Sequence, residues 1–207
     1  MHKLIDGAIN FRLNSFEEHR KLFHKLQSGQ NPHTLFITCS DSRVLPDMIT
    51  TTLPGELFIV RNIANMVPKF SNSDEYLTVP SAIEYAVNAL KVRNIVICGH
   101  SNCGGIGALY KSEEEMKGLV HTKKWLELGL KVKENALKFY ENDQNISLQE
   151  LTEKLNIVEQ LEHLMSYPYI LNSYNDGILS IMGWYYKIET GEIFNYNRSK
   201  NLFDLIN

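Results

Sequence analysis

Three short apolar runs in the first half of the chain alternate with segments of helical pattern. The runs are residues 34–38 (TLFIT), 57–60 (LFIV) and 95–98 (IVIC), and a helical pattern covers about residues 79–90. Short β-branched runs separated by helices are typical of a parallel sheet whose faces are covered by helices. The pattern therefore predicts an α/β fold with a central, mostly parallel β-sheet flanked by helices.

The two ends of the chain add further predicted elements. Residues 1–29 have the pattern of a helical arm, with Asn14 or Ser15 as the expected cap of a helix. Near the other end, residues 177–188 and 193–196 are apolar and flank a Thr-Gly turn. This arrangement predicts a C-terminal edge hairpin.

Length and composition limit the classes of protein that the chain can represent. A length of 207 residues predicts one domain, which we divide into the arm at 1–29 and an α/β core at 30–207. The net charge of -3 and the lack of a long basic cluster argue against a nucleic-acid partner. No segment has the length of a membrane span or the pattern of a signal peptide, so we expect a cytoplasmic protein without a membrane partner.

Two polar motifs follow the first and third apolar runs, CSDSR at 39–43 and GHSNCGG at 99–105. In parallel sheets, ligands bind beyond the carboxyl ends of the strands, so we expect the two motifs to meet. His100 and Cys103 offer an imidazole and a thiolate, and we expect Cys39 with Asp41 to supply the further ligands for zinc. Cys98 closes an apolar strand, and alternation predicts that its side chain points away from this site.

The motifs together closely resemble the beta carbonic anhydrases. The resemblance runs from about Gln30 to Ile106, with weaker agreement in the arm and at 183–186. It is carried by segments that occur in one order along the chain: CSDSRV at 39–44, PGE at 54–56, RNIAN at 61–65, IEYAV at 83–87 and CGHSNCGG at 98–105. The resemblance implies zinc-dependent, reversible hydration of carbon dioxide to bicarbonate and a proton, by attack of hydroxide formed on zinc.

The resemblance also implies roles for the residues of the motifs. Cys39, His100 and Cys103 would hold one zinc ion per subunit. Asp41, held by Arg43, would accept a hydrogen bond from the attacking group, or would itself bind zinc in a closed state. A simple ion pair that stabilises the loop is the alternative for Asp41 and Arg43. Two thiolates on zinc should make its water less acidic, so we expect the activity to favour mildly alkaline pH.

The resemblance also implies a substrate pocket, whose residues are assigned by their positions in and around the motifs. They are Gln30, which in plant-type members lines the pocket of the neighbouring subunit, the apolar Phe58, Ile63 and Tyr85, and the backbone N–H groups of Gly104 and Gly105. Some family members carry a regulatory bicarbonate site built on Trp, Arg and Tyr. Arg61 and Tyr186 match two of those positions, but the Trp position is Phe36, which favours the plant-like subtype.

Assembly and alternative activities follow from the same resemblance. Arms such as residues 1–29 wrap around a partner subunit in the family, so we expect a homodimer or a dimer of dimers. A relative that hydrolyses carbon disulfide or carbonyl sulfide would use the same motifs. A non-catalytic zinc or redox-sensing protein is a further alternative, although it would not need the Asp41–Arg43 pair.

Overall fold

A six-stranded β-sheet forms the centre of the computed structural model, which describes residues 2–71, 75–142 and 144–207. Its order is β2-β1-β3-β4-β5-β6. The first four strands in this order are parallel, and the last two pairings are antiparallel. The predicted mostly parallel sheet is therefore confirmed. In chain order, the strands are β1 (Thr34–Cys39), β2 (Leu57–Asn62), β3 (Asn94–His100), β4 (Ser180–Tyr186), β5 (Ile193–Asn197) and β6 (Leu202–Leu205).

Helices connect and flank the strands. The longest, α9, spans 18 residues and is capped at its N-terminus by Ser147, whose hydroxyl accepts a hydrogen bond from the N–H of Glu150. No helix in the described ranges is long and apolar enough to cross a membrane. In chain order, the helices are α1 (His2–Asn10), α2 (Phe16–Glu18), α3 (Arg20–Leu26), α4 (Pro46–Thr50), α5 (Thr78–Glu84), α6 (Gly104–Gly107), α7 (Val120–Leu126), α8 (Leu130–Asn142), α9 (Leu148–Met165) and α10 (Pro168–Asn175).

Helix α9 packs directly on β3 and β4. Its Ile157 is fully buried, and a Cβ atom added to Gly99 of β3 would lie 2.8 Å from the Ile157 side chain. Only glycine leaves room for so close an approach, since real Cβ contacts of this length are essentially absent. The helix is therefore held against the strand that ends at the polar GHSNCGG motif.

The other face of the sheet carries a separate apolar cluster. Its buried members are Phe36, Val96 and Cys98, and Met182 and Trp184 are among the partly buried side chains packed on them. The ring of Phe36 meets that of Trp184 edge to face, with centroids 5.8 Å apart. Cys98 thus lies on the face opposite to α9, which confirms the alternation predicted from the sequence.

The N-terminal arm is helical, but its predicted cap is wrong. Ser15 has helical backbone angles and its side chain caps nothing, while the side chain of Asn14 donates to Asn10 one turn earlier. Helical structure therefore continues through Phe11–Ser15 from α1 instead of beginning there. Residue 1 of the predicted arm lies outside the described residues.

The C-terminal hairpin exists, but it is not the edge of the sheet. Strand β4 pairs in parallel with β3 on one side and antiparallel with β5 on the other, so it is an interior strand. Strand β6, which the sequence pattern did not indicate, pairs with β5 and forms the edge. The added strand covers the side of β5 that a hairpin alone would leave open.

Candidate metal centre

The polar motifs lie at the carboxyl ends of two neighbouring strands. Cys39 is the last residue of β1 and His100 is the last residue of β3, and these strands pair in parallel. After a turn at Ser101 and Asn102, Cys103 occupies the position just before α6. The predicted meeting of the two motifs at one edge is confirmed.

The donor atoms of Cys39, His100 and Cys103 form a compact, buried group. One donor atom from each lies within 4.8 Å of the others, and the two sulfurs are 3.8 Å apart. The three residues are 5%, 0% and 1% exposed. A tetrahedral zinc site with Zn–S bonds of about 2.3 Å separates its sulfurs by about 3.8 Å. The observed spacing therefore fits a zinc ion.

His100 presents the nitrogen that a metal would need. Its Nδ1 lies 3.0 Å from the carbonyl oxygen of Ser101, which can only accept, so Nδ1 carries the proton. Its Nε2 is buried and lacks a hydrogen-bond partner among the described residues. A buried polar atom without a partner is costly, and a metal bond would satisfy it.

The surroundings of the sulfur pair stabilise a thiolate on Cys39. The hydrogen bond from Cys103 lowers the pKa of Cys39 to about 4, with backbone N–H groups of Asp41 and Ala64 contributing in the same direction. The same contact, together with burial, raises the pKa of Cys103. Burial opposes protonation of His100, but the adjacent Cys39 thiolate outweighs it and raises the imidazole pKa. A cation at this position would replace the protons that these ligands otherwise hold.

Asp41 lies beside this group and is hydrogen-bonded to Arg43. The guanidinium donates from Nε to Oδ1 at 2.9 Å and from Nη2 to Oδ2 at 2.7 Å, and the N–H of Arg43 also donates to Oδ1. These hydrogen bonds hold the pKa of Asp41 well below its usual range. Oδ2 lies 3.9 Å from Nε2 of His100. The ionised carboxylate therefore faces the candidate metal position while remaining bound to Arg43.

Arg61 and Asn62 hold the backbone around Cys39. Arg61 donates to the carbonyl oxygens of Cys39 at 3.2 Å and of Asp41 at 2.7 Å. The side chain of Asn62 bonds both the N–H and the carbonyl of Met66, which closes the turn that contains Ala64 at a φ of 61°. Arg61, which belongs to the RNIAN segment and matches one position of a regulatory site, here orders the loop of the candidate centre.

The other residues assigned to a pocket from the sequence lie in different settings. The rings of Phe58 and Tyr85 are tilted against each other at 6.0 Å, and Tyr85 is half-exposed. Ile63 is 40% exposed, and its carbonyl oxygen accepts from the indole of Trp125. Gln30 is exposed on the segment between α3 and β1. Their contact with substrate stays a prediction.

The two glycines after Cys103 differ in the space around them. A Cβ atom at Gly105 would meet Ile63 at 2.8 Å and the backbone nitrogen of Ala64 at 3.1 Å, whereas Gly104 has nothing within 4 Å. We expect Gly105→Ala to lower the free energy of unfolding by about 1–3 kcal/mol through overpacking. Gly104→Ala is the matched control. It should change the free energy of unfolding by at most about 1 kcal/mol, which is the difference in helix propensity between Gly and Ala. Urea unfolding of both variants tests this, and equal stabilities would contradict it.

Two residues that contact the centre were not found from the sequence. Glu153 accepts a hydrogen bond from the N–H of Cys103, and Gln149 donates one to its carbonyl oxygen. Both lie on α9, far from the two motifs along the chain, and no spacing pattern links them to Cys103. Only the packing of α9 against β3 brings them there.

Comparisons with known proteins agree with this geometry. The profile of the carbonic anhydrase family matches residues 34–193. A carbonic anhydrase of Helicobacter pylori strain J99 is 38% identical over 203 residues, which cover 97% of this chain and 92% of that protein.

Two solved structures are similar over nearly the whole chain. The beta-carbonic anhydrase CcaA superposes with a TM-score of 0.93 at 37% identity, covering 100% of this chain and 99% of that one. A structure described among two tetrameric beta-carbonic anhydrases from Sordaria macrospora has a TM-score of 0.80 at 30% identity, covering 94% and 95%.

Proposed function

The chain belongs to the beta class of the carbonic anhydrase family and catalyses the reversible hydration of carbon dioxide, and we propose that its cofactor is one zinc ion held by Cys39, His100 and Cys103. The observation that carries this proposal is the buried imidazole nitrogen without a partner, set among two sulfurs at the spacing of a tetrahedral site. Two thiolates and one imidazole are ligands that zinc prefers, and three protein ligands leave a fourth position open for catalysis.

When bound, zinc supplies a Lewis acid that makes water nucleophilic near neutral pH. Asp41 accepts a hydrogen bond from the reacting water and so orients it toward the substrate. Because Arg43 holds both carboxylate oxygens, Asp41 stays ionised and keeps one orientation. In a closed state, Asp41 would leave Arg43 and serve as a fourth ligand to zinc, which requires the loss of those hydrogen bonds.

Apolar side chains and backbone donors form the proposed substrate pocket. Phe58, Ile63 and Tyr85 suit a small nonpolar gas, and Gln30 would complete the pocket of the neighbouring subunit. The N–H groups of Gly104 and Gly105 are placed at the start of α6, where they could bind an oxygen of carbon dioxide or bicarbonate. The relatives reported above are carbonic anhydrases, which favours carbon dioxide over its sulfur analogues as the substrate.

X-ray absorption at the zinc edge tests the identity and ligands of the metal. Purified protein should contain one zinc per chain, with a coordination shell of two sulfurs and one nitrogen at ligand distances typical of zinc. A shell of nitrogen and oxygen alone, or a different metal at one per chain, would refute the proposed centre.

We further propose that the plant-like subtype describes this chain. Phe36 occupies the position of the regulatory Trp, and its ring packs on Trp184. Arg61 uses its donors on the carbonyl oxygens of Cys39 and Asp41. The side chain of Phe36 has no N–H group, and two donors of Arg61 are already bound to backbone carbonyls, so fewer hydrogen-bond donors remain for a regulatory bicarbonate. We also propose a cytoplasmic location, since the described cysteines form no disulfide, which fits a reducing compartment. One sheet that extends from residue 34 to 205 fits the proposed single domain at 1–207.

The arm supports assembly into a dimer of dimers. Helix α1 has no buried residue, and its Leu4, Ile5 and Ile9 are 82%, 52% and 46% exposed. Exposed apolar side chains in one helix mark an interaction surface. The related structure from Sordaria macrospora is described as tetrameric, and the same assembly is our proposal for this chain.

The double variant Ile5→Asp and Ile9→Asp should disrupt this assembly. We expect light scattering to report a tetramer for the wild type and a smaller species for the double variant, because two charges cannot be buried unpaired in an apolar interface. Lys3→Asp is the control, since it changes the net charge equally on the opposite side of α1. A double variant that stays tetrameric would exclude the arm from the interface.

A further inference from the structure

Both polar groups of the Cys103 backbone are bound by side chains of one helix. The N–H of Cys103 donates to Oε1 of Glu153 at 2.8 Å, and its carbonyl oxygen accepts from Nε2 of Gln149 at 3.0 Å. Nε2 of Gln149 also donates to Oε1 of Glu153 at 2.6 Å. Glu153 and Gln149 are one turn apart on α9. They therefore form a two-residue clamp on the main chain of a candidate ligand.

The peptide unit between Asn102 and Cys103 is also bound by Arg43. The carbonyl oxygen of Asn102 accepts from Nη2 of Arg43 at 3.0 Å, and the N–H of that peptide is the one bound by Glu153. Asn102 has a φ of 54°, in the left-handed region, which asparagine adopts more readily than other residues with a side chain. The peptide unit that follows this turn is therefore bound from both sides, by Arg43 at its carbonyl oxygen and by Glu153 at its N–H.

Glu153 is itself fixed in place. It is 2% exposed, and its other oxygen, Oε2, accepts from the hydroxyl of Tyr185 at 3.0 Å. Tyr185 is buried on β4, the strand next to β3. A carboxylate with such partners cannot change its rotamer without losing buried hydrogen bonds, each of which is costly to leave unmade. Glu153 thus has the rigidity that a positioning group needs.

We propose that Glu153, supported by Gln149, is a positioning residue that sets the backbone of Cys103 so that its sulfur meets the metal together with Cys39 and His100. This proposal rests on the proposed metal centre. Partners that orient a ligand from behind contribute to metal affinity although they never touch the metal. The contribution comes from hydrogen bonds to the main chain, and it does not need the charge of Glu153.

Two substitutions at Glu153 separate the hydrogen bonds from the charge. In Glu153→Gln, the amide oxygen accepts from Cys103 and Gln149, so both hydrogen bonds of the clamp are kept, while the amide nitrogen donates to the hydroxyl oxygen of Tyr185 and reverses the direction of that hydrogen bond. In Glu153→Leu, all of these contacts are lost. Thr152→Val is the control, since Thr152 is a buried neighbour whose hydroxyl bonds Leu148 and Tyr110 but not the centre.

Zinc affinity, measured by competition with a chelator, gives the first readout. We expect Glu153→Leu to weaken zinc binding by about 10–100-fold, and Glu153→Gln and Thr152→Val to stay within about threefold of the wild type. The cobalt-loaded Leu variant should also show an altered thiolate-to-metal absorption band. Equal zinc affinity in the Leu variant and the wild type would overturn the proposal, and so would an equal loss in the Gln variant.

Amide hydrogen exchange of the metal-free protein gives a readout that is independent of zinc. The peptide that contains Cys103 should exchange at least about tenfold faster in Glu153→Leu than in the wild type, with no such change in Thr152→Val. Unchanged exchange would refute the clamp even if the metal centre stands. Conversely, the wild type could bind no zinc while its Cys103 peptide still exchanges more slowly than that of Glu153→Leu. This result would refute the metal centre and leave the clamp on Cys103 in place.

Discussion

Asp41→Ala is expected to reduce the turnover number for carbon dioxide hydration by about 10²–10⁴-fold, the range for loss of a positioned acid–base group. The zinc content should not change, because Asp41 is bound to Arg43 and not to the group of Cys39, His100 and Cys103. Turnover falls because the variant lacks the carboxylate that accepts a hydrogen bond from the reacting water and orients this water toward the substrate. Stopped-flow hydration on samples of known zinc content measures the effect.

The pH dependence of the Asp41 variant gives a second test of its role. Arg43 depresses the pKa of Asp41, so the carboxylate is already ionised far below pH 6.5 and does not titrate between pH 6.5 and 9. The variant should therefore be slower by a similar factor at every pH in this interval, without a new inflection. Asp47→Ala, which removes an exposed carboxylate from α4, is the control and should keep wild-type turnover. Near-normal turnover in Asp41→Ala would mean that the Asp41–Arg43 pair only stabilises the loop.

Cys103→Ser has the second large expected effect, a loss of zinc. A serine hydroxyl stays protonated at neutral pH and offers a hard oxygen in place of a thiolate, so the affinity for zinc should fall by more than about 100-fold, beyond the effect of losing an outer partner. Activity should fall with the metal content. Chelator competition and metal analysis of the purified variant provide the measurement.

Cys98→Ser supplies a matched control for the same chemical change. Cys98 is fully buried on the other face of the sheet among Phe36 and Val96, and burial raises its pKa to about 12, so it is a neutral thiol. Its replacement should keep one zinc per chain, with at most a modest loss of stability. If Cys98→Ser lost zinc as fully as Cys103→Ser, the proposed ligand set would be wrong.

The sequence predicted the features that depend on local pattern. Apolar runs located β1, β2 and β3, and the rule that ligands bind at the carboxyl ends of parallel strands placed Cys39 near His100. Alternation along β3 put Cys98 on the far face. Each of these inferences needs only a period of two and one direction of the strands, which a short segment already contains.

Features that depend on contacts between distant segments could not be read in this way. Glu153 and Gln149 reach Cys103 only because α9 packs on β3, and nothing in their own neighbourhood marks them. The cap expected at Asn14 or Ser15 failed because helical structure continues from α1, so no free N–H groups needed a cap there. Strand β6 forms by pairing with β5, and its four residues are too few for a periodic signal.

The central claim is that this chain hydrates carbon dioxide with a zinc ion bound by Cys39, His100 and Cys103. The most direct test is stopped-flow hydration of carbon dioxide from pH 6.5 to 9, with zinc content determined on the same sample. We predict one zinc per chain, a rate that rises toward alkaline pH, and loss of both rate and zinc in Cys103→Ser but not in Cys98→Ser. Zinc-loaded protein that hydrates carbon dioxide no faster than buffer across this pH interval would contradict the account.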